Sequence, residues 1–251
     1  MHVPLPRPLH GWRAFAGEVG IIVLGVLIAL GFDQLVDTWQ WQDKIKRAEN
    51  SMRIELANDN GPQAYARALI GQCLDQQIKR IRDGVGNVPA DQLRKWGAAY
   101  SPPFRTWDSE AWKVVVASDV GGHMGSDRLI AWSSPYRIIP ALSEEDVREA
   151  RLVIEMRGSL PPSGEPSPDD LRSFRLAAAQ LRLANRRFIN TSQLLLARMA
   201  VLNAQVPKEI QLELTTQART MYGNCVTVPD LNETPDAGRL SANLRSPSIQ
   251  D

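Results

Sequence analysis

The feature that most restricts how this chain can fold is an uncharged apolar run near its amino end, Val19 to Phe32, reading VGIIVLGVLIALGF. As a helix this run reaches roughly 21 Å, short of a hydrocarbon layer roughly 30 Å thick. Extended from Phe15 to Val36 it reaches roughly 33 Å, with Glu18 and Asp33 near the two boundaries, where a charge costs less. Indole rings favour the headgroup region. Trp12 precedes the run and Trp39 and Trp41 follow it. Trp12 to Trp39 as helix covers roughly 40 Å, about a bilayer with its headgroups. A transmembrane helix over 15–36 is therefore predicted, with Trp12, Trp39 and Trp41 as interfacial anchors. The alternatives are a cleaved signal, with Arg7 and Arg13 as its basic start and Ala29 and Gly31 as small residues, and a buried helix of a soluble core.

Composition makes the membrane signal local. The 251 residues are 43% hydrophobic and 23% charged, as in ordinary globular proteins, so a polytopic membrane protein is disfavoured. Lysine plus arginine (29) nearly cancels aspartate plus glutamate (28), which gives no electrostatic case for nucleic acid. The lipid bilayer is the expected partner.

Within the span, Glu18, Ile22, Gly25, Ala29 and Asp33 are four, three, four and four apart, which sets one helix face with small residues between two carboxylates. A carboxylate at membrane depth seeks a partner or water. The face therefore suggests a seat for a second copy of the chain, giving a homo-oligomer, or for another membrane protein. The plainer account has Glu18 reaching headgroups and the glycine incidental.

Orientation is argued from two signals that pull apart. Arg7 and Arg13 on one side face Lys44, Lys46, Arg47 and Arg53 on the other, which by the positive-inside rule does not favour a cytoplasmic amino end. Long domains, however, translocate largely regardless of charge. Cys73 and Cys225 are the only cysteines, and an isolated pair in an envelope protein suggests one disulfide closing a long loop, the alternative being two buried thiols. The expectation is a short cytoplasmic terminus (1–14), the span (15–36), a helical stalk (37–60), a helical extracytoplasmic domain (61–228) and a disordered tail (229–251). That places the bulk in the periplasm, anchored to a bacterial inner membrane.

The domain reads as all-α. Leu35, Trp39, Ile45, Ala48, Met52 and Leu56 continue the helical spacing into a stalk, which Asn60-Gly61-Pro62 is expected to break or kink. Ile70, Leu74, Ile78 and Ile81 predict a helix over 63–83 with Cys73 facing the core, and Leu93 with Trp96 a short one. Residues 107–118 read as a helix capped by Thr106 and ended by Gly121-Gly122, with a strand over Val114-Val115-Val116 as the alternative. Ser143 and Asp146 have the form of a capping box opening a helix that Gly158 closes, which makes Glu144, Glu145 and Asp146 capping acids. Ser167, Pro168 and Asp170 announce another helix. From Leu171 through Phe174, Ala178, Leu181, Asn185, Phe188, Ser192, Leu195 and Met199 to Leu202, its stripe alternates three and four. That heptad spacing predicts one long helix packed in a bundle or coiled coil, with Asn185 and Ser192 either specifying register or drifting toward solvent. Ile210, Leu214 and Met221 carry a last helix to Gly223.

A search for chemistry returns little. His123 stands alone in GGHMG, and no nucleophile elbow, phosphate loop or paired-cysteine zinc pattern occurs. No catalytic residue, cofactor or metal ligand is assigned, although a site assembled from dispersed residues would escape such a search.

The stretch Trp12-x-x-Phe15-x-x-Glu18-x-x-Ile21-Ile22-x-x-Gly25-x-Leu27-Ile28-Ala29-Leu30, followed by Trp39, resembles the anchor of a family of uncharacterised bacterial single-span membrane-anchored proteins. The likeness covers mainly the first 56 residues and, more loosely, Trp107 to Tyr136. It implies location and shape and no activity. The expected role is a non-enzymatic envelope module for protein interaction or assembly. The alternatives are an envelope hydrolase with a site dispersed in sequence, and a sensor subunit relaying through a partner.

Overall fold

A computed structural model describes residues 11–229. Among them the chain is all-helical, with no strand. It divides into two compact units, residues 1–48 and 49–251. The second half of the expected stalk, from Glu49 onward, thus belongs to the bundle. The tail from residue 230 and the side chain of Trp12 lie outside the described residues.

The first unit is carried by α1 (Gly11–Glu55), whose apolar part is long and hydrophobic enough to cross a membrane, with a mean hydropathy of 2.3 in its most apolar window. None of that window is buried. Trp39 is exposed, while Trp41 is half-buried with the Lys44 ammonium 4.2 Å from its ring centroid.

The expected break at Asn60-Gly61-Pro62 does not occur. A single widened π turn, Leu56–Asn60, carries the chain into α2 (Gly61–Gly84), and the Gly61 N–H donates to the Leu56 carbonyl five residues back. Helical dihedrals persist at Asn60 (φ −74°, ψ −40°) and Gly61 (φ −60°, ψ −50°). The reason lies in Pro62, which has no N–H and whose ring crowds the carbonyl one turn earlier; the widened turn takes up an extra residue there and relieves the crowding. The turn is tightly enclosed. A Cβ on Gly61 would lie 2.5 Å from the Met199 methyl and 2.7 Å from the Leu56 carbonyl oxygen. Gly61→Ala is therefore expected to cost about 1–3 kcal/mol, read as a lowered melting temperature in detergent. An unchanged melt would show that the turn has slack.

The bundle is built by α2, α7 (Ile139–Gly158), α8 (Pro168–Val201) and α9 (Lys208–Tyr222), with α2 packed on α8 and α9, and α7 on α8. Of the shorter helices, α3 (Ala90–Ala99) packs on α2 and α7 and α6 (Ser126–Tyr136) on α7 and α8, while α4 (Glu110–Ala117) and α5 (Asp119–His123) pack on each other. The opening of α8 follows its sequence signature: Ser167 Oγ accepts from the Asp170 N–H, and Asp170 Oδ2 from the Ser167 N–H. Its heptad stripe faces inward, with Phe174, Ala178, Leu181, Phe188, Leu195 and Met199 buried. Asn185 and Ser192 are fully buried too, so the stripe does not drift to solvent.

Four local expectations are corrected. α7 begins at Ile139-Pro140, one turn before Ser143, so Ser143 and Asp146 form no capping box; proline at the first turn already suits a helix start. α4 begins at Glu110 and is not capped by Thr106. Its first N–H groups are satisfied by Asp108 Oδ1, which accepts from Ser109 and Glu110, and by Glu55 Oε2, which accepts from Ala111 at 2.8 Å. Gly121 and Gly122 lie inside α5 and do not end the preceding helix. In α9 Met221 is exposed, and Thr215 and Ala218 supply the buried face.

Candidate functional site

The bundle interior holds a polar cluster that no single segment of sequence announces. Arg67, on the first turns of α2, is wholly buried. Its Nη1 donates to Glu149 Oε2 at 2.9 Å and its Nη2 to Glu149 Oε1 at 2.7 Å, the parallel fork that suits guanidinium to carboxylate. Nη2 also donates to Asn185 Oδ1 at 2.6 Å, and Asn185 Nδ2 donates to the Gly71 carbonyl at 3.1 Å. Three helices, α2, α7 and α8, are thereby joined through one guanidinium. Its flat face lies 4.3 Å from the centroid of the Phe188 ring.

A second cation approaches the same ring. Arg105, in the segment between α3 and α4, is 5% exposed and 5.9 Å from the Phe188 centroid; its Nη1 donates to the Pro103 carbonyl at 2.8 Å. Burial, and then the Arg67 charge, push its pKa down to about 10. Beside it Trp107, whose ring is tilted against Phe188 at 6.1 Å, donates its indole N–H to Asp146 Oδ2. Tyr100 is buried at the same place, and burial followed by the negative charge of Glu149 holds its phenol neutral, well above the ordinary value. The cluster so contains two arginines and two carboxylates, stacked on one aromatic platform. Buried charges persist when paired and hydrogen-bonded, and this arrangement meets that condition for Arg67 and Glu149.

Asp146 is the titratable member. Burial pushes its carboxyl up to about 6, against the Trp107 hydrogen bond and the Arg105 charge, which favour the anion. The folded state then holds this proton more tightly than the unfolded chain, whose ordinary value is 3.8. Stability contributed by Asp146 is present below that ordinary value and is lost as pH rises through the window up to about 6. Relative to Asp146→Asn, the native protein is expected to lose up to about 3 kcal/mol across that window. Denaturant melts of both proteins at a series of pH values check this, and a flat difference between the two curves would refute it.

The same loop reaches the π turn. Asn60 Nδ2 donates to the Asp108 carbonyl at 2.9 Å, and the Asp108 N–H donates to Asn60 Oδ1 at 3.0 Å. Further up α1, Tyr136 donates to the Met52 carbonyl at 3.2 Å and stacks on Trp112 at 5.4 Å, while the Trp132 indole N–H donates to Glu49 Oε1 at 3.3 Å. Residues 49–60 are thus collared by the segment from Trp107 to Tyr136.

No family model, curated protein or solved structure matches this chain.

Of the residues singled out from sequence, Cys73 and Cys225 are brought together, their sulfurs 2.12 Å apart and their Cα atoms 5.1 Å apart. The Thr227 N–H donates to the Leu69 carbonyl beside them at 3.1 Å, fastening the end of the described chain to α2. Glu18, Ile22, Gly25, Ala29 and Asp33 lie on the exposed part of α1, and a Cβ on Gly25 would meet nothing within 4 Å. His123 Nδ1 lies 2.9 Å from the Asp119 carbonyl. No group of three or more metal-ligating side chains occurs among the described residues. Arg67, Arg105 and Glu149 were not anticipated. Sequence signals exist for two of them: Arg67 extends the Ile70–Ile81 stripe one turn upstream, and Glu149 takes an inward position between Asp146 and Val153 on α7; Arg105, in an irregular segment, has none.

A separate open concavity lies on the α7–α8 hairpin. It is a groove of about 780 Å³ between Arg148 and Arg151 of one helix and Leu183 and Arg187 of the other.

Proposed function

We propose that this protein is a membrane-anchored interaction module, in which α1 tethers the chain to the inner membrane and the helical bundle binds or assembles with protein partners in the periplasm. The observation that carries this reading is the exposed apolar surface of the α7–α8 hairpin. Val147 and Ile154 on α7 and Leu176 and Leu183 on α8 are each at least half exposed. Clustered aliphatic side chains facing water mark contact surfaces more often than accidents.

Three further features support the setting. An exposed apolar helix with its own backbone satisfied suits lipid, which tolerates no unpaired backbone groups. A cysteine pair at disulfide distance suits an oxidising compartment. The resemblance of the amino-terminal segment to bacterial anchors agrees with both. In the span, the open space beside Gly25 leaves room for a second helix along the Glu18–Asp33 face.

The hydrolase alternative draws on one observation, the carboxyl of Asp146 held near neutral pH beside Arg105, since perturbed acids gather at active sites. Both groups are nearly buried, and their partners account for them as structure.

The test is carried out in intact cells. A photo-crosslinking side chain placed in turn at Ile154, Val201 and Leu212, all exposed, is expected to give discrete protein adducts, with the chain resisting alkaline carbonate extraction. Release by carbonate would remove the anchor, and lipid-only adducts at all three sites would remove the interaction role. Reporter fusions after Trp41 and at the carboxyl end fix sidedness.

A further inference from the structure

The hairpin groove has a shape and a charge that narrow what can occupy it. α7 and α8 run antiparallel: Met156 near the end of α7 and Phe174 near the start of α8 meet at Gly97, while Glu149 and Asn185, further from the connection, share Arg67. Among the exposed aliphatic side chains, Val147 of α7 and Leu183 of α8 line the groove, and each has a second exposed aliphatic seven residues along its helix, Ile154 and Leu176. Each pair is one heptad apart, roughly 10.5 Å along its axis. Two parallel rows at that spacing form the holes into which a third helix inserts side chains every three and four residues. An extended strand, with its period of two, does not match them.

The walls are cationic. Arg148, Arg151 and Arg187 line the groove against one glutamate, Glu144. Glu145 lies 3.7 Å from Arg148 and also attracts Arg187, so a single carboxylate beside the groove is shared between two of its three arginines. Arginines stand on both sides, two from α7 and one from α8, so a helix lying between them meets positive charge along both edges. A second copy of the same hairpin would set arginine against arginine, which charge disfavours.

We infer that the α7–α8 groove is the docking site for an amphipathic helix of a partner protein, with aliphatic residues at three-four spacing on one face and aspartate or glutamate along both flanks. This rests on the interaction-module reading and specifies its surface and its partner chemistry.

The experiment uses the full chain, purified in mild detergent, and two synthetic helical peptides with the same leucine spacing, one flanked by glutamates and one by lysines. The glutamate peptide is expected to bind at least tenfold more tightly, to weaken as salt is raised, and to crosslink to a photoreactive residue at position 183. The double variant Arg151→Glu, Arg187→Glu is expected to invert the preference, and Arg151→Lys, Arg187→Lys to retain it. Leu183→Asp is expected to abolish binding of both peptides. These residues are exposed, and an unchanged thermal melt confirms that each variant folds. Equal affinities, no binding by either peptide, or binding indifferent to charge reversal would overturn the proposal. So would adducts between two copies through position 183, which would make the groove a self-interface. If protein capture in cells persists through Val201 or Leu212 while the peptides fail, the groove proposal falls and the interaction module stands.

Discussion

Replacing Glu149 with alanine is expected to destabilise the bundle by about 3–5 kcal/mol, because it leaves the Arg67 guanidinium charged and buried with only an amide to accept from it. For a unit of this size that corresponds to a drop of roughly 6–20 °C in melting temperature. The loss arises from the orphaned charge and not from the strength of the bond. Simultaneous replacement by apolar residues, Arg67→Met with Glu149→Leu and Asn185→Leu, is accordingly expected to cost far less than Glu149→Ala alone, since no buried charge remains. Circular dichroism melts of the full chain in detergent decide between the two accounts. A triple variant as unstable as the single one would mean that the ion pair itself holds the three helices together.

The second large effect is expected at the cysteine pair. Cys73 and Cys225 are 152 positions apart. Closing a loop of that length restricts the unfolded chain by about 5 kcal/mol in the chain-entropy model. Cys225→Ser is expected to lose most of that. Position 225 lies just beyond α9, on the segment whose Thr227 N–H bonds to Leu69, so the loss is expected to appear first as faster amide exchange in α9 and residues 223–228. Exchange that accelerates uniformly over the bundle would show instead that this segment unfolds only with the whole.

The legible parts of this fold are those in which a local rule and the tertiary environment agree. Ser167, Pro168 and Asp170 form their capping box because nothing else in the fold competes for them. The heptad stripe of α8 faces inward because the same residues serve spacing and burial. Ser143 and Asp146 show the opposite case. Their spacing fits a capping box as well as Ser167 and Asp170 do, yet Asp146 lies about two turns inside its helix and receives the Trp107 indole from 39 positions away. Spacing alone cannot distinguish an acid that caps from one that points into a core, because both sit on an inward face.

Asn60-Gly61-Pro62 misleads for a related reason. The triplet carries breaker chemistry, but the surrounding contacts, among them Asn60 to the Asp108 backbone, hold the helix together through one widened turn. In the cluster, the polar interruption at Asn185 was visible in the heptads. Its partner was not, since Arg67 lies 118 positions away and a charged side chain on an inward stripe reads locally as a surface residue.

The separations within the cluster also govern when the protein can finish folding. Arg67 leaves the ribosome well before Glu149, 82 positions later, and Asn185, 118 positions later. At ordinary synthesis rates the wait for Asn185 is roughly 5–25 s. Until then a guanidinium destined for a dry interior must stay hydrated, so the nascent α2 has no complete core to dock on. A chain whose earliest bundle helix depends on its latest ones gathers its energy late, exposes sticky surface meanwhile, and is a natural client for chaperones that hold unfolded segments.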